Sequence, residues 1–182
     1  LDTGIFGTRF FFEVLAENGM NDLAYAAMNK RTEPSFGHWI ELGSTTTRES
    51  WDEGGSYNHP MFGGGLVWFY QNLAGMKADE KQPGYRHIIF KPQPVSAITS
   101  THYTTKTSYG EGGIEWKQEG DQFVMDITVP VGCTATVFVP TKDDQAVSVA
   151  DGIESGFVAE RGVANGLKQF EVQSGKYRFE VR

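Results

Sequence analysis

The 182-residue chain changes its hydrophobic period once, near Gly84, and this constrains its fold more than any other feature. Before that point apolar side chains recur three and four residues apart, the spacing of one helix face. After it they alternate with polar ones, the spacing of a half-buried strand. Helices followed by strands predict an α+β chain in two parts, residues 1–80 and 81–182, with the boundary in the stretch Lys77 to Gly84.

Three helices are predicted. The first runs from Thr8 to Asn18, with Phe11, Phe12, Val14 and Leu15 on its apolar face, Thr8 as N-cap and Gly19 as the left-handed stop. The second starts with Asn21 as N-cap, carries Leu23, Ala24, Ala27 and Met28, and ends before Thr32-Glu33-Pro34. The third spans Met61 to Met76, where Leu66, Val67, Phe69, Tyr70 and Leu73 form a surface too broad for a free-standing amphipathic helix. Three such helices cannot close a domain. Their uncovered faces would exceed the few hundred Å² of apolar patch a monomer normally shows, so further helices upstream are expected. Gly63-Gly64-Gly65 has no preceding strand and no following Lys-Ser/Thr, so it is read as allowing close helix approach, not as a phosphate loop.

Eight strands are predicted: Tyr85 to Lys91, Thr101 to Tyr109, Gly112 to Gln118, Gln122 to Val129, Thr134 to Val139, Ala146 to Val149, Leu167 to Val172 and Lys176 to Val181. Turn signals such as Glu119-Gly120-Asp121, Pro130-Val131-Gly132 and Ser174-Gly175 separate them, as in an antiparallel β-sandwich.

Composition narrows the function classes. With 39% hydrophobic and 21% charged residues the chain reads as folded, and a net charge of −7 without a basic cluster argues against nucleic acid as a partner. No run approaches the ~18 apolar residues of a membrane span. Cys133 is the only cysteine, so neither an internal disulfide nor a thiolate metal site can form. The start at Leu1, without a basic segment ahead of an apolar run, points to a longer parent protein; the compartment stays open.

The chemistry concentrates between the second and third helices. Thr32 to Pro60 is long for a structureless loop, and Phe36, Trp39 and Trp51 argue for order. Glu41, Glu49, Asp52, Glu53 and His59 fall in the same stretch. Hydrolysis of a glycosidic bond uses two carboxyl groups, one protonating the leaving oxygen and one activating water, in a polar and aromatic cleft. Each residue also has a plainer reading. Glu49 could pair with Arg48 or His59 on a surface loop, Trp51 could fill a core instead of stacking on a sugar, and His59 could be structural instead of contacting a substrate hydroxyl. His38 and Trp39 could line the site or brace the loop. Glu41 and Asp52 suit orienting their neighbours better than primary catalysis.

A series of motifs carries a resemblance. Thr3-Gly4-Ile5-Phe6-Gly7-Thr8, Leu15-Ala16-Glu17-Asn18-Gly19 with Asp22-Leu23-Ala24-Tyr25, Glu41-x-Gly-x-Thr-Thr-x-x-Glu49-x-Trp51-Asp52 and Asn58-His59-Pro60-Met61-Phe62-Gly63 follow in order. Gly75-Met76, Pro83-Gly84-Tyr85-Arg86-His87, Tyr109-Gly110 and Trp116 continue it. Together they resemble the end of the bacterial α-L-rhamnosidases across essentially the whole chain. The resemblance implies the last helices of an (α/α)₆ barrel followed by a carboxyl-terminal β-sandwich, and hydrolysis that inverts the anomeric configuration. It also implies Glu49 as general base; Trp51, His59, Trp39, Asp52 and Glu41 are the candidate substrate-binding residues from the reading of the loop itself. The general acid would come from upstream, the partners would be a rhamnosyl glycan or glycoside and the rest of the barrel, and no cofactor or metal is implied. Arg48 departs from the aromatic residue many relatives carry before the motif glutamate. A rival reading makes the β part a carbohydrate-binding or structural module presenting Tyr103, Tyr109 and Trp116.

Overall fold

The computed structural model describes residues 3–52, 54–142, 145–149 and 158–182; Glu53, named above, lies outside them. The chain divides into two compact units, Leu1–Phe69 with Val95–Ala97, and Tyr70–Pro94 with Ile98–Arg182. The second unit thus lends three residues of its sequence back to the first.

In the first unit α1 (Gly7–Glu17) and α2 (Asn21–Asn29) form a hairpin. Gly19, at φ +71°, turns the chain; its N–H donates to the Ala16 carbonyl at 3.1 Å and that of Met20 to Leu15 at 2.8 Å, so the last carbonyls of α1 are satisfied. The predicted caps sit elsewhere. Phe6 occupies the N-cap of α1, while the buried Thr8 hydroxyl lies 2.9 Å from the Gly4 carbonyl and 3.0 Å from that of Thr3. Met20 precedes α2, and the Asn21 side chain accepts the Trp68 indole N–H. At the start of α2, Asp22 accepts the hydroxyl of Ser96 at 2.7 Å and its backbone N–H at 2.9 Å, which fastens Val95–Ala97 to this unit.

A short helix not predicted from the sequence, α3 (Phe36–Glu41), follows; the buried Ser35 caps it by accepting the His38 N–H at 3.0 Å. The third predicted helix is present but irregular. It begins as 3₁₀ (Pro60–Leu66), ends as π (Phe69–Leu73) and stops before Met76, which begins a strand. Close approach to α1 explains two of its three glycines, Gly64 and Gly65. A β-carbon at Gly64 would lie 2.8 Å from Arg9 Cβ, and one at Gly65 3.0 Å from the Phe12 ring. Phe12, Leu15 and Ala16 face this contact, whereas Phe6, Phe10 and Val14 on the opposite face of α1 are exposed, at 73%, 59% and 54%. No helix is long and apolar enough to cross a membrane among the described residues.

Among the described residues the second unit contains ten strands: β1 (Met76–Ala78), β2 (His87–Phe90), β3 (Ser100–Thr107), β4 (Gly110–Glu119), β5 (Gln122–Val129), β6 (Thr134–Pro140), β7 (Val147–Val149), β8 (Val158–Ala164), β9 (Leu167–Val172) and β10 (Gly175–Val181). They form two sheets, ordered β1-β2-β6-β9-β8 and β3-β4-β5-β10-β7. Alternating residues of both face one apolar core, including Ile88, Phe90, Ile114, Trp116, Met125, Val137 and Phe179, and Phe170 of the first sheet meets Phe179 of the second at 5.1 Å. One pair departs from the antiparallel expectation: β2 and β6 run parallel, His87 opposite Thr134. The chain between them passes through the other sheet, and a crossover of that length delivers a strand in the same direction. Cys133 is buried, and burial pushes its thiol pKa up.

Candidate active site

The aromatic residues that suggested order form the core of the first unit. Trp39, only 3% exposed, lies against Trp51 at 4.5 Å and Phe62 at 5.1 Å, with Phe36 edge-on to both tryptophans at 5.6 and 5.2 Å. The Trp39 indole N–H donates to the Trp51 carbonyl at 3.2 Å, and the Trp51 indole N–H to the Thr3 carbonyl at 2.7 Å. Of the two readings of Trp39 the geometry takes the bracing one, because its ring is enclosed. Trp51 is half-buried and anchored at both ends of its residue.

From this anchor the chain forms a narrow two-armed loop. The Glu49 N–H donates to the Ser56 carbonyl at 2.9 Å and the His59 N–H to the Thr47 carbonyl at 2.8 Å. The Thr47 hydroxyl donates to the His59 carbonyl at 2.5 Å, and the Thr46 hydroxyl to the Tyr57 carbonyl. Side chains alternate across the first arm: Arg48 is buried, 6% exposed, while Glu49 is exposed. Arg48 donates through Nε to the Ser44 hydroxyl at 2.9 Å, and its guanidinium lies 4.6 Å from the Tyr57 ring centre, a cation–π contact. Arg48 and Glu49 therefore point away from each other, so the surface ion pair between them is not formed.

Glu49 Oε2 accepts the Ser56 N–H at 2.8 Å, closing a second bond across the loop. At the tip, Asp52 accepts the Ser50 hydroxyl and the Gly54 N–H, the latter at 3.1 Å; these bonds, the hydroxyl's first, hold its carboxyl below the ordinary aspartate range. Asp52 thus shapes the turn. Half-buried His59 spends its backbone on Thr47, and its Nδ1 is buried with no hydrogen-bond partner among the described residues. Glu41, at the end of α3, meets Arg31 at 3.4 Å on the surface. The loop thus carries Glu49, Trp51, Asp52 and His59, with Trp51 packed on Trp39, while Glu41 pairs with Arg31 at the end of α3. The sequence reading missed Ser35 and Ser56. The first announces itself as a capping serine ahead of Phe36; the second acts through its backbone, which leaves no side-chain signal.

In the β unit Trp116 is fully buried, donates its indole N–H to the Leu73 carbonyl at 2.9 Å and stacks on Phe123 at 5.9 Å. It is scaffold. Tyr103 rests half-buried against Tyr70 at 5.0 Å, and Tyr109 is exposed.

Residues 1–73 match the bacterial alpha-L-rhamnosidase six-hairpin glycosidase domain, and residues 75–154 the bacterial alpha-L-rhamnosidase C-terminal domain. The chain is 36% identical over 192 residues to the alpha-L-rhamnosidase of Streptomyces avermitilis, the match covering all of this chain and 18% of that protein. Among solved structures, the alpha-L-rhamnosidase from Dictyoglumus thermophilum is similar over the whole chain, with a TM-score of 0.88 and 36% identity, and the chain spans 21% of it. The Streptomyces avermitilis alpha-L-rhamnosidase complexed with L-rhamnose matches the whole chain with a TM-score of 0.87 and 34% identity, over 18% of that structure. The chain belongs to the bacterial α-L-rhamnosidase family and corresponds to the carboxyl-terminal part of its members. It spans about a fifth of the length of the relatives it matches.

Proposed function

We propose that this chain supplies the general base and one aromatic wall to an inverting α-L-rhamnosidase whose remaining barrel helices and general acid lie upstream. The observation that carries the reading is the exposed Glu49 carboxylate on a loop tied across both arms and anchored to a tryptophan core, where an orienting base needs to be held. In such a reaction Glu49 takes a proton from water as the water oxygen bonds to the anomeric carbon, while the leaving oxygen receives the general acid's proton. The two carboxyls would stand roughly 6.5 to 9.5 Å apart. Trp51 supplies the apolar face, and the buried Nδ1 of His59, without a hydrogen-bond partner among the described residues, supports a side chain whose hydrogen bonds are completed by substrate or by upstream residues. Trp39 and Asp52 hold the loop, and Glu41 lies outside the contact set. The uncovered face of α1 supports docking against upstream helices.

The test is hydrolysis of p-nitrophenyl α-L-rhamnopyranoside by the full-length parent, with NMR detection of the first-formed anomer. Glu49→Gln should lower kcat by several orders of magnitude, on the order of 10³ or more. An undiminished rate would remove Glu49 from the role, and a product of retained configuration would remove the inverting mechanism.

A further inference from the structure

We infer that Gly55 and the backbone amide of Ser56 are positioning elements for Glu49, fixing one carboxylate oxygen so that the other is presented to the reacting water. The inference rests on the general-base reading above and assigns the residues that make it geometrically possible. Glu49 does not extend from its arm; it folds back across the tip of the loop. Oε2 takes the Ser56 N–H at 2.8 Å, while the Glu49 N–H donates to the Ser56 carbonyl at 2.9 Å, so the two residues are joined by one bond from the main chain and one from the carboxylate. Oε1 has no hydrogen-bond partner among the described residues. A base that must abstract a proton needs this asymmetry: one oxygen immobilised, one available, and no rotation exchanging them during the reaction.

The return path of the side chain passes directly over Gly55. A β-carbon there would lie 2.9 Å from Glu49 Oε2, 3.1 Å from its Cβ and 3.3 Å from its Cδ, and the backbone sits at φ +77°, where L side chains are strained. Glycine is therefore favoured twice, by the turn and by the carboxylate lying on it, which a β-carbon would displace. The two requirements separate experimentally. Asparagine tolerates left-handed backbone far better than alanine does but carries the same β-carbon, so Gly55→Asn keeps the contact while easing the strain. Ser56→Pro deletes the donor and puts the ring Cδ where the amide hydrogen met Oε2, so it both removes the bond and displaces the carboxylate.

The experiment uses the full-length parent and p-nitrophenyl α-L-rhamnopyranoside, with kcat and KM measured for Gly55→Ala, Gly55→Asn, Ser56→Pro, Glu49→Gln and Gly55→Ala combined with Glu49→Gln. The expected result is a kcat lower by about 10- to 100-fold in all three loop variants. KM and the thermal midpoint should stay near wild type in Gly55→Asn. Once Glu49 is Gln, Gly55→Ala should cost no further activity, because both changes act through one group. A wild-type kcat in both Gly55 variants overturns the inference, as does an effect of Gly55→Ala that multiplies that of Glu49→Gln. A fully active Glu49→Gln instead overturns the base assignment itself, and that arm is read independently of the loop variants.

Discussion

The side-chain oxygen of Asn21 accepts the indole N–H of Trp68 at 2.9 Å, joining the first turn of α2 to a residue 47 positions later, inside the first unit. Both groups are buried, so the bond matters less for what it adds than for what its loss would strand. Asn21→Ala leaves the indole N–H without this acceptor and should destabilise the full-length protein by about 1–3 kcal/mol in denaturant unfolding. A change within error would show that water or a neighbour replaces the carboxamide.

Trp39 fills the centre of the aromatic cluster and holds the Trp51 carbonyl. Trp39→Ala should cost about 3–5 kcal/mol through the cavity it opens. Trp39→Phe should cost less in stability yet still lower kcat, because it keeps most of the ring contact while releasing the anchor of the loop. The comparison is made by unfolding and by turnover of the aryl rhamnoside; a Trp39→Phe variant with wild-type kcat would detach the anchor from catalysis.

Acid should weaken the attachment of Val95–Ala97. The Ser96 hydroxyl, then its backbone amide, hold the Asp22 carboxyl below its ordinary range. A carboxyl depressed in the folded state contributes stability that is complete above the unfolded value, about 3.9, and is lost as the pH falls through the lower folded value. Wild type should therefore lose stability below about pH 4 more steeply than Asp22→Asn, whose side chain does not titrate. Thermal midpoints from pH 6 down to pH 3 check this; parallel curves would mean the two bonds carry no linkage.

Gly75 ends the irregular helix at φ +86°, and a β-carbon there would fall 2.2 Å from Pro92 N and 2.3 Å from Pro92 Cα, both backbone. Neither group can yield locally, so Gly75→Ala should cost more than the ~1 kcal/mol of an ordinary unfavourable glycine replacement. Soluble yield and unfolding midpoint of the full-length protein measure it. A near-neutral result would require the β1–β2 pair to shift register.

What could be read in advance follows the strength of each local pattern. The limits of β5 and β9 coincide with the predicted ones, because Phe123, Met125, Ile127 and Val129 alternate cleanly with polar residues and glycine turns bound the runs. The Gly19 stop was legible for the same reason: a single conformational requirement marked by a single residue type. Three elements left too little signal. At six residues, α3 is shorter than two turns and cannot display a helical period. β1 is only three residues and continues the apolar run of the helix before it. β8 is largely exposed, lacks a clean alternation and is interrupted by a bulge between Glu160 and Gly162. The parallel pairing of β2 with β6 is a property of connection and not of either strand. In the candidate site the residue types were visible, but the contrast between buried Arg48 and exposed Glu49, and the amide that holds the carboxylate, belong to the backbone path.

The return of Val95–Ala97 to the helical unit gives the chain an interlocked order. Although the family domains meet between residues 73 and 75, a single cut there would leave Asp22 on one piece and Ser96 on the other. Neither half could be lifted out by proteolysis or recombination at that junction without parting a contact internal to the first unit. Separating the two units cleanly would take breaks on both sides of Val95–Ala97 as well as after Phe69.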